Sequence, residues 1–227
     1  MAEKPVFLIT GASTGIGAET ARQAAEAGYR LVLAARSEDK LQALAGELPE
    51  AVAVRCDVTE WDDQQALVRR VLDEYGRLDV AFANAGFGGP RGFGEGDVEH
   101  WKAMVLTNVY GAALTIRATR EALIETKGHL LLTGSVAGRR ALQGSLYSAT
   151  KWAVTGMGES ARQDFNDTGV RVTVIEPGMV DTPFFENPPE IEALHAEDVA
   201  RAVIFAVSQP SRVDINEILI RPTDQPG

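Results

Sequence analysis

The stretch PVFLITGASTGIGAET, residues 5–20, runs from an apolar segment through a turn holding Gly11, Gly15 and Gly17 into a sequence rich in helix formers. A strand that enters a helix through such a turn leaves the first helical N–H groups without partners. It also aims the positive end of the helix dipole at whatever lies beyond the turn. Glycines let the backbone approach a pyrophosphate closely, and Ser13, Thr14 and Ile16 complete the turn. The spacing is G-x-x-x-G-x-G, not the commoner G-x-G-x-x-G, but the strand–turn–helix context that gives either pattern its meaning is present. A nucleotide cradle is therefore expected, against the competing reading of a purely structural turn.

The same alternation continues along the chain. Short runs rich in Val, Ile and Leu recur at PVFLIT from residue 5, RLVLAA from 30, AVAVR from 51, LDVAFA from 78, HLLLTG from 129, VRVTVI from 170 and INEILI from 215. Between them lie longer segments of helical period, among them AETARQAAEAG, DQQALVRRVLDEYG and the run from Val98 to Thr126. Strands alternating with helices imply right-handed crossovers. The fold class expected is α/β, a doubly wound, Rossmann-type sheet of seven parallel strands with helices on both faces. A chain of 227 residues with an apolar share of 45% is expected to form a single domain over residues 1–227. One segment breaks the rhythm. GFGGPRGFGEG, residues 86–96, carries six glycines at the carboxyl edge of the fourth strand, where it either approaches a ligand or is a plain surface loop.

Charge and composition exclude several classes. A net charge of −10, with no basic cluster to offset it, repels a phosphate backbone, so no nucleic-acid partner is expected. No apolar stretch approaches the length of a bilayer span and the N-terminal run is too short for a signal peptide, so no membrane partner and a cytoplasmic location are expected. The single cysteine, Cys56, reads as a buried thiol, and His100, His129 and His195 lack metal-ligand spacing, so no metal is expected.

The end of the second strand bears on which nucleotide is held. A carboxylate roughly 20 residues past the glycines would accept from a ribose 2′-hydroxyl, as NAD requires. Ala35, Arg36 and Ser37 stand there instead. A guanidinium can pair with a 2′-phosphate and lie against adenine, so the cofactor expected is NADP; the alternative is an Arg36 that merely solvates a strand end.

Farther on, GSLYSATKWA, residues 144–153, places Tyr147 and Lys151 four apart over small residues. On a helix they share a face. A free phenol has a pKa of roughly 10, and a neighbouring ammonium favours its anion, which is expected to bring Tyr147 towards the operating pH of a general acid–base. Lys151 can also bond ribose hydroxyls. Reducing a ketone or aldehyde needs a proton donor at its oxygen, and Ser135, at the end of the fifth strand, would offer a hydroxyl to that oxygen. Asn108 is an unfavourable residue inside its long helix.

With these residues in place the chain resembles the compact, single-domain branch of the short-chain dehydrogenase/reductase family over nearly its whole length. Thr10 to Gly17 fits the family's cofactor turn, Asp57-Val58 its adenine-side contact, and Asn84-Ala85-Gly86 its sheet-stabilising motif. Asn108, Ser135, Tyr147 and Lys151 fit its four catalytic positions, and Pro177-Gly178 with Val180 and Thr182 the segment holding the nicotinamide end. The resemblance implies an NADP(H)-dependent oxidoreductase that interconverts a carbonyl and an alcohol, with Tyr147 as general acid/base and Asn108 holding a proton-relay water for Lys151. Thr14 stands where NADP-dependent members often carry a basic residue, so the NADP expectation rests on Arg36. The alternatives are a non-catalytic NADP-binding regulator and an NAD-dependent hydroxy-acid or sugar-alcohol dehydrogenase. A nucleotide-sugar epimerase or dehydratase is disfavoured, because about fifty residues follow Pro177.

The pocket is expected to be mostly apolar, bordered by residues 86–96, 136–143 and a short segment from Pro183 to His195, and to offer Phe87, Phe93, Leu142, Phe184, Phe185 and Leu194. Arg139 and Arg140 read as surface charge. Apolar residues left over on two helices, including Trp101, Met104, Trp152 and Met157, together with the family's pairing of those helices, lead to an expected homotetramer, or else a homodimer.

Overall fold

The computed structural model describes residues 4–94, 96–184 and 191–225. All seven apolar runs contain strands. In chain order the elements begin β1 (Val6–Thr10), α1 (Gly15–Glu26), β2 (Arg30–Ala35), α2 (Glu38–Glu47), β3 (Ala51–Arg55), α3 (Trp61–Tyr75) and β4 (Val80–Ala83). They continue with α4 (Val98–Val105), α5 (Ala112–Thr126), β5 (His129–Thr133), α6 (Leu146–Asp164), β6 (Arg171–Pro177), β7 (Val180–Asp181), β8 (Leu194–His195), α7 (Ala196–Val207) and β9 (Glu217–Ile220). The main sheet has the order β3-β2-β1-β4-β5-β6-β9, and every neighbouring pair is parallel. This is the doubly wound, Rossmann-like sheet expected. A second, two-stranded ladder pairs β7 with β8.

A parallel sheet covered on both faces explains why its strands read as unbroken apolar runs. Successive side chains enter opposite cores. Phe7 and Ile9 of β1, with Leu31 and Leu33 of β2, pack against Ala21 and Ala24 of α1, Leu41 of α2 and Val199 and Val203 of α7. Val6, Leu8 and Val32 face the other way, onto Leu67 and Val71 of α3, Leu123 of α5 and Phe165 just past α6. Among the described residues no helix is long and apolar enough to cross a membrane.

The run from Val98 to Thr126 is one continuous helix with an unexpected interior. Between α4 and α5, Leu106–Gly111 forms a π turn, a geometry that inserts one residue into the helical ladder. Asn108 lies in this turn, and its side chain makes hydrogen bonds outside the helix.

Candidate active site

The strand order reverses between β1 and β4, whose outgoing chains diverge to opposite faces of the sheet; open α/β sheets bind ligands in the crevice at such a point. A cleft of about 990 Å³ opens there and extends from Arg36 and Asp57 at one end to Tyr147 and Phe184 at the other.

The first wall is the turn after β1. Gly11 has φ +65°, and a Cβ on it would stand 2.8 Å from the Ala85 Cα. A Cβ on Gly17 would meet the Gly11 carbonyl oxygen at 2.4 Å and Asn84 Nδ2 at 2.8 Å. Both positions therefore require glycine for close packing of turn, helix and β4. Asn84 locks the arrangement: Nδ2 donates to the carbonyls of Thr10 (3.1 Å) and Gly11 (3.3 Å), while Oδ1 accepts from Thr133 Oγ1 at 3.0 Å. At the start of α1 the capping residue, Thr14, makes no side-chain hydrogen bond, and no acid occupies the first turn. Gly15 and Ile16 line the cleft, so a helix start with unsatisfied N–H groups opens into it, an environment that suits a pyrophosphate.

Farther along this wall stand Ala35, Arg36, Ser37, Asp57 and Val58. Burial raises the pKa of the Asp57 carboxyl, but hydrogen bonds from the Thr59 N–H (3.0 Å) and Oγ1 (2.8 Å), with the Arg36 and Arg55 cations, outweigh it and hold the group below the usual range. Cys56 is buried beside it, and burial followed by the Asp63 and Asp57 charges pushes its thiol up to about 12, so it is no nucleophile.

At the other end Tyr147 and Lys151 project from the first turns of α6, whose capping Ser145 accepts from the Ser148 N–H at 3.1 Å. The Tyr147 ring stands edge-on to Phe184, 5.6 Å between centroids. Lys151 is buried, lies 5.6 Å from the Tyr147 ring centroid, and donates to the Thr133 carbonyl at 2.7 Å. Ser135 Oγ accepts from the Ala137 N–H at 3.1 Å and interacts with Tyr147.

Lys151 does not depress Tyr147 in the way the sequence suggested. Burial pushes the phenol up to about 12 and the interaction with Ser135 opposes this only in part, while burial also pulls the Lys151 ammonium down to about 8. The ammonium donates to the Thr133 carbonyl, and desolvation is the largest influence on both groups.

Of the residues singled out from the sequence, Gly11, Ser13, Thr14, Gly15, Ile16, Arg36, Ser37, Asp57, Val58, Asn84, Ala85 and Gly86 line the cleft. So do Ser135, Tyr147, Lys151, Pro177, Gly178, Val180 and Thr182. Gly17 and Asn108 stand behind the lining. Asn108 Nδ2 donates to the Phe87 carbonyl (2.9 Å) and Thr150 Oγ1 (3.1 Å), and its Oδ1 accepts from the Phe87 N–H (3.0 Å). Its side chain thus joins the loop after β4 to α6, and its Oδ1 and Lys151 Nζ stand beside Gly86, 3.0 and 3.7 Å from where a Cβ on that glycine would lie.

The substrate end differs from expectation. Phe87, Leu142 and Phe184 line it, but Phe93 is exposed against Trp101, Leu194 packs on the sheet core, and Phe185 lies outside the described residues. Arg91, His100, Arg140 and Gln225 add polar groups to the cleft, whose lining as a whole is still more apolar than polar. Gln225 comes from the far C-terminus, where its Oε1 accepts from the Met179 N–H at 2.9 Å; no local pattern marks it. Arg139 and Arg140 are exposed, as read from the sequence, but each also faces inward: Arg140 lines the cleft, and Arg139 pairs with buried Glu176 at 2.8 Å.

A family model described as short chain dehydrogenase matches residues 5–192. An uncharacterized oxidoreductase of Staphylococcus saprophyticus is 36% identical over 226 residues, covering 96% of this chain and 97% of its own. Among solved structures, an alcohol dehydrogenase of Thermococcus sibiricus complexed with 5-hydroxy-NADP superposes with a TM-score of 0.93 at 31% identity, covering 99% of both chains. The closed form of a serine dehydrogenase complexed with NADP+ gives 0.91 at 29% identity, covering 98% of this chain and 96% of that one. Similar structures also include one complexed with NADH.

Proposed function

The chain belongs to the short-chain dehydrogenase/reductase family, and from that premise we propose that it is an NADP(H)-dependent oxidoreductase interconverting a ketone or aldehyde with an alcohol. The observation that carries this reading is one continuous cleft with an uncapped helix start and Arg36 at one end and Ser135, Tyr147 and Lys151 at the other. NADP(H), when bound, supplies or accepts the hydride. Gly11 to Gly17 would hold its pyrophosphate, Arg36 and Ser37 its 2′-phosphate, Asp57 and Val58 the adenine side, and Pro177, Gly178, Val180 and Thr182 the nicotinamide end.

The chain's own groups account for the proton and the oxygen. In reduction, Ser135 Oγ donates a hydrogen bond to the substrate oxygen and Tyr147 gives that oxygen its proton. A phenol held up near 12 keeps its proton throughout the neutral range, so the donor is ready in the free protein. Lys151, held at the Thr133 carbonyl, is the cation positioned to meet ribose hydroxyls when they arrive. Asn108 fixes the Phe87 backbone beside them, which leaves its main chain as the part able to carry the relay water.

The reading extends to a single domain working in the cytoplasm as a homotetramer, or else a homodimer. Trp152, 50% exposed on α6, and Tyr110, 48% exposed in the π turn, stand with Val105 and Leu106 as uncovered apolar surface. Met104, counted from the sequence for that surface, is buried within the chain.

Turnover decides the matter. Purified protein is mixed with NADPH or NADH and a panel of neutral aldehydes, ketones and keto acids, and nicotinamide absorbance is followed. Carbonyl-dependent loss of NADPH, with lower efficiency for NADH, is expected. NADPH binding without turnover on any member would favour the regulator, and equal efficiency with both cofactors would remove the NADP assignment.

A further inference from the structure

Glu176 is the penultimate residue of β6 and is 0% exposed. A carboxylate in such a place is costly unless donors surround it. Arg139 Nε lies 2.8 Å from both of its oxygens, and Thr155 Oγ1 donates to one of them at 3.0 Å. The same guanidinium also pairs with Glu217 of β9.

The pair is buried only on its carboxylate side, the Arg139 side chain being 35% exposed; since apolar residues can often replace a buried charge and its partner without loss of stability, fixed geometry is the natural explanation for it. Each partner here adjoins a different part of the site. Arg139 follows the short turn Val136–Gly138, which Ser135 caps. Thr155 lies four residues beyond Lys151, on the same face of α6. Glu176 immediately precedes Pro177-Gly178. The Ser135 turn also packs directly on α6, where a Cβ on Gly138 would stand 2.7 Å from the Lys151 carbonyl oxygen, so what the carboxylate adds is the tie of both to the end of β6. The ladder between β5 and β6 ends with the Gly134 N–H donating to the Ile175 carbonyl at 2.7 Å, and beyond it Ser135 Oγ reaches the Pro177 carbonyl only at 3.4 Å.

On the reading that Ser135, Tyr147 and Lys151 carry out the carbonyl–alcohol reaction, we propose that Arg139 is a positioning residue for it: through the Glu176 carboxylate, its guanidinium clamps the Ser135 turn, the Lys151 helix and the Pro177-Gly178 segment into one register. The fork of the guanidinium matters as well as its charge. Nε faces both Glu176 oxygens while Nη2 reaches Glu217, and a lysine, a point charge on a flexible stem, cannot hold those two directions at once.

Arg139→Ala strands a buried carboxylate and can cost the fold, so it is studied beside Arg139→Ala/Glu176→Gln, which removes charge from both sides. Melting temperature, NADPH affinity by fluorescence titration, and kcat and KM for a carbonyl reduced by the unmodified protein are measured for each. The clamp predicts that the double variant folds and retains NADPH affinity while kcat falls about 100-fold, the scale expected when reacting groups shift by about 1 Å. It also predicts that low concentrations of added guanidinium restore part of kcat to Arg139→Ala, where that variant folds, and do nothing for the unmodified protein. A folded double variant with unmodified kcat overturns the clamp while leaving the reaction intact, as does a folded Arg139→Ala that added guanidinium leaves unmoved. If the unmodified protein reduces no carbonyl with NADPH, the reaction itself is misread and the positioning role falls with it.

Discussion

Tyr147 and Lys151 share a helix face, but their environments push them in opposite directions, the phenol up to about 12 and the ammonium down to about 8. A phenol that keeps its proton favours reduction, because in the reverse direction the same oxygen must first lose it. Alcohol oxidation should therefore gain efficiency as pH rises through the neutral range towards about 8, above which the Lys151 ammonium itself gives up its proton, with carbonyl reduction flat or falling. Paired pH profiles check this, and an oxidation rate that falls over that range would count against Tyr147 as the base. The spacing of the pair and the chemistry of each member were legible in the sequence. The direction of the Tyr147 shift was not, because desolvation is its largest influence, and burial shows only once the chain is folded. The pairing of exposed Arg139 was hidden for a similar reason: its partner, Glu176, is 37 residues away in sequence.

At the scale of elements, the cofactor cradle is the best-specified part of the chain. Its glycines do what the turn requires, so Gly17→Ala should displace the Gly11 carbonyl or the Asn84 amide, each of which a Cβ would meet below 3.0 Å. A stability loss of about 1–3 kcal/mol with weakened NADPH binding is expected, read by denaturant melts and fluorescence titration. Unchanged binding would show that the turn does not touch the cofactor. Arg36, at the end of β2, stands on the same wall and is exposed. Arg36→Ala should lower efficiency with NADPH by about tenfold or more, the scale of one charge-assisted contact, and leave NADH nearly unaffected; equal losses with both would remove the 2′-phosphate role. The seven strands of the main sheet and the turn were readable because apolar runs and glycine spacing are local signals. The π turn was not, because Leu106–Gly111 has an ordinary helical sequence and the reach of Asn108 to Phe87 shows only once β4 and its loop are in place.

The whole molecule carries an acid sensitivity that its sequence conceals. His129 opens β5 in the core, where burial and then the Arg171 cation pull its pKa down to about 3. Thr173 Oγ1 donates to the Ile215 carbonyl at 2.6 Å, so it accepts from His129 Nε2 at 2.7 Å; the proton is thereby assigned to Nε2, and Nδ1 is buried without a partner. The unfolded chain binds a proton near 6.5 and the folded chain does not until about 3, so this group's contribution to stability is complete above about 6.5 and is lost as pH falls through that window. His129→Leu should flatten the dependence of unfolding free energy on pH between those values, by up to about 1.4 kcal/mol per pH unit, as read by denaturant melts. An unaltered slope would assign the acid sensitivity to other groups. At the same scale, assembly was expected from surplus apolar residues, but which ones remain exposed depends on packing: Met104 is covered and Tyr110 is not. Light scattering showing only monomer at micromolar concentration would reject both the tetramer and the dimer. The central claim, that this cleft performs carbonyl–alcohol chemistry with Tyr147 as the proton donor, is tested most directly by comparing kcat and NADPH affinity in the unmodified protein and in Tyr147→Phe. The account predicts retained NADPH binding and a turnover reduced by about 10²–10⁴-fold, the contribution of a positioned general acid; turnover within about tenfold of the unmodified protein would contradict it.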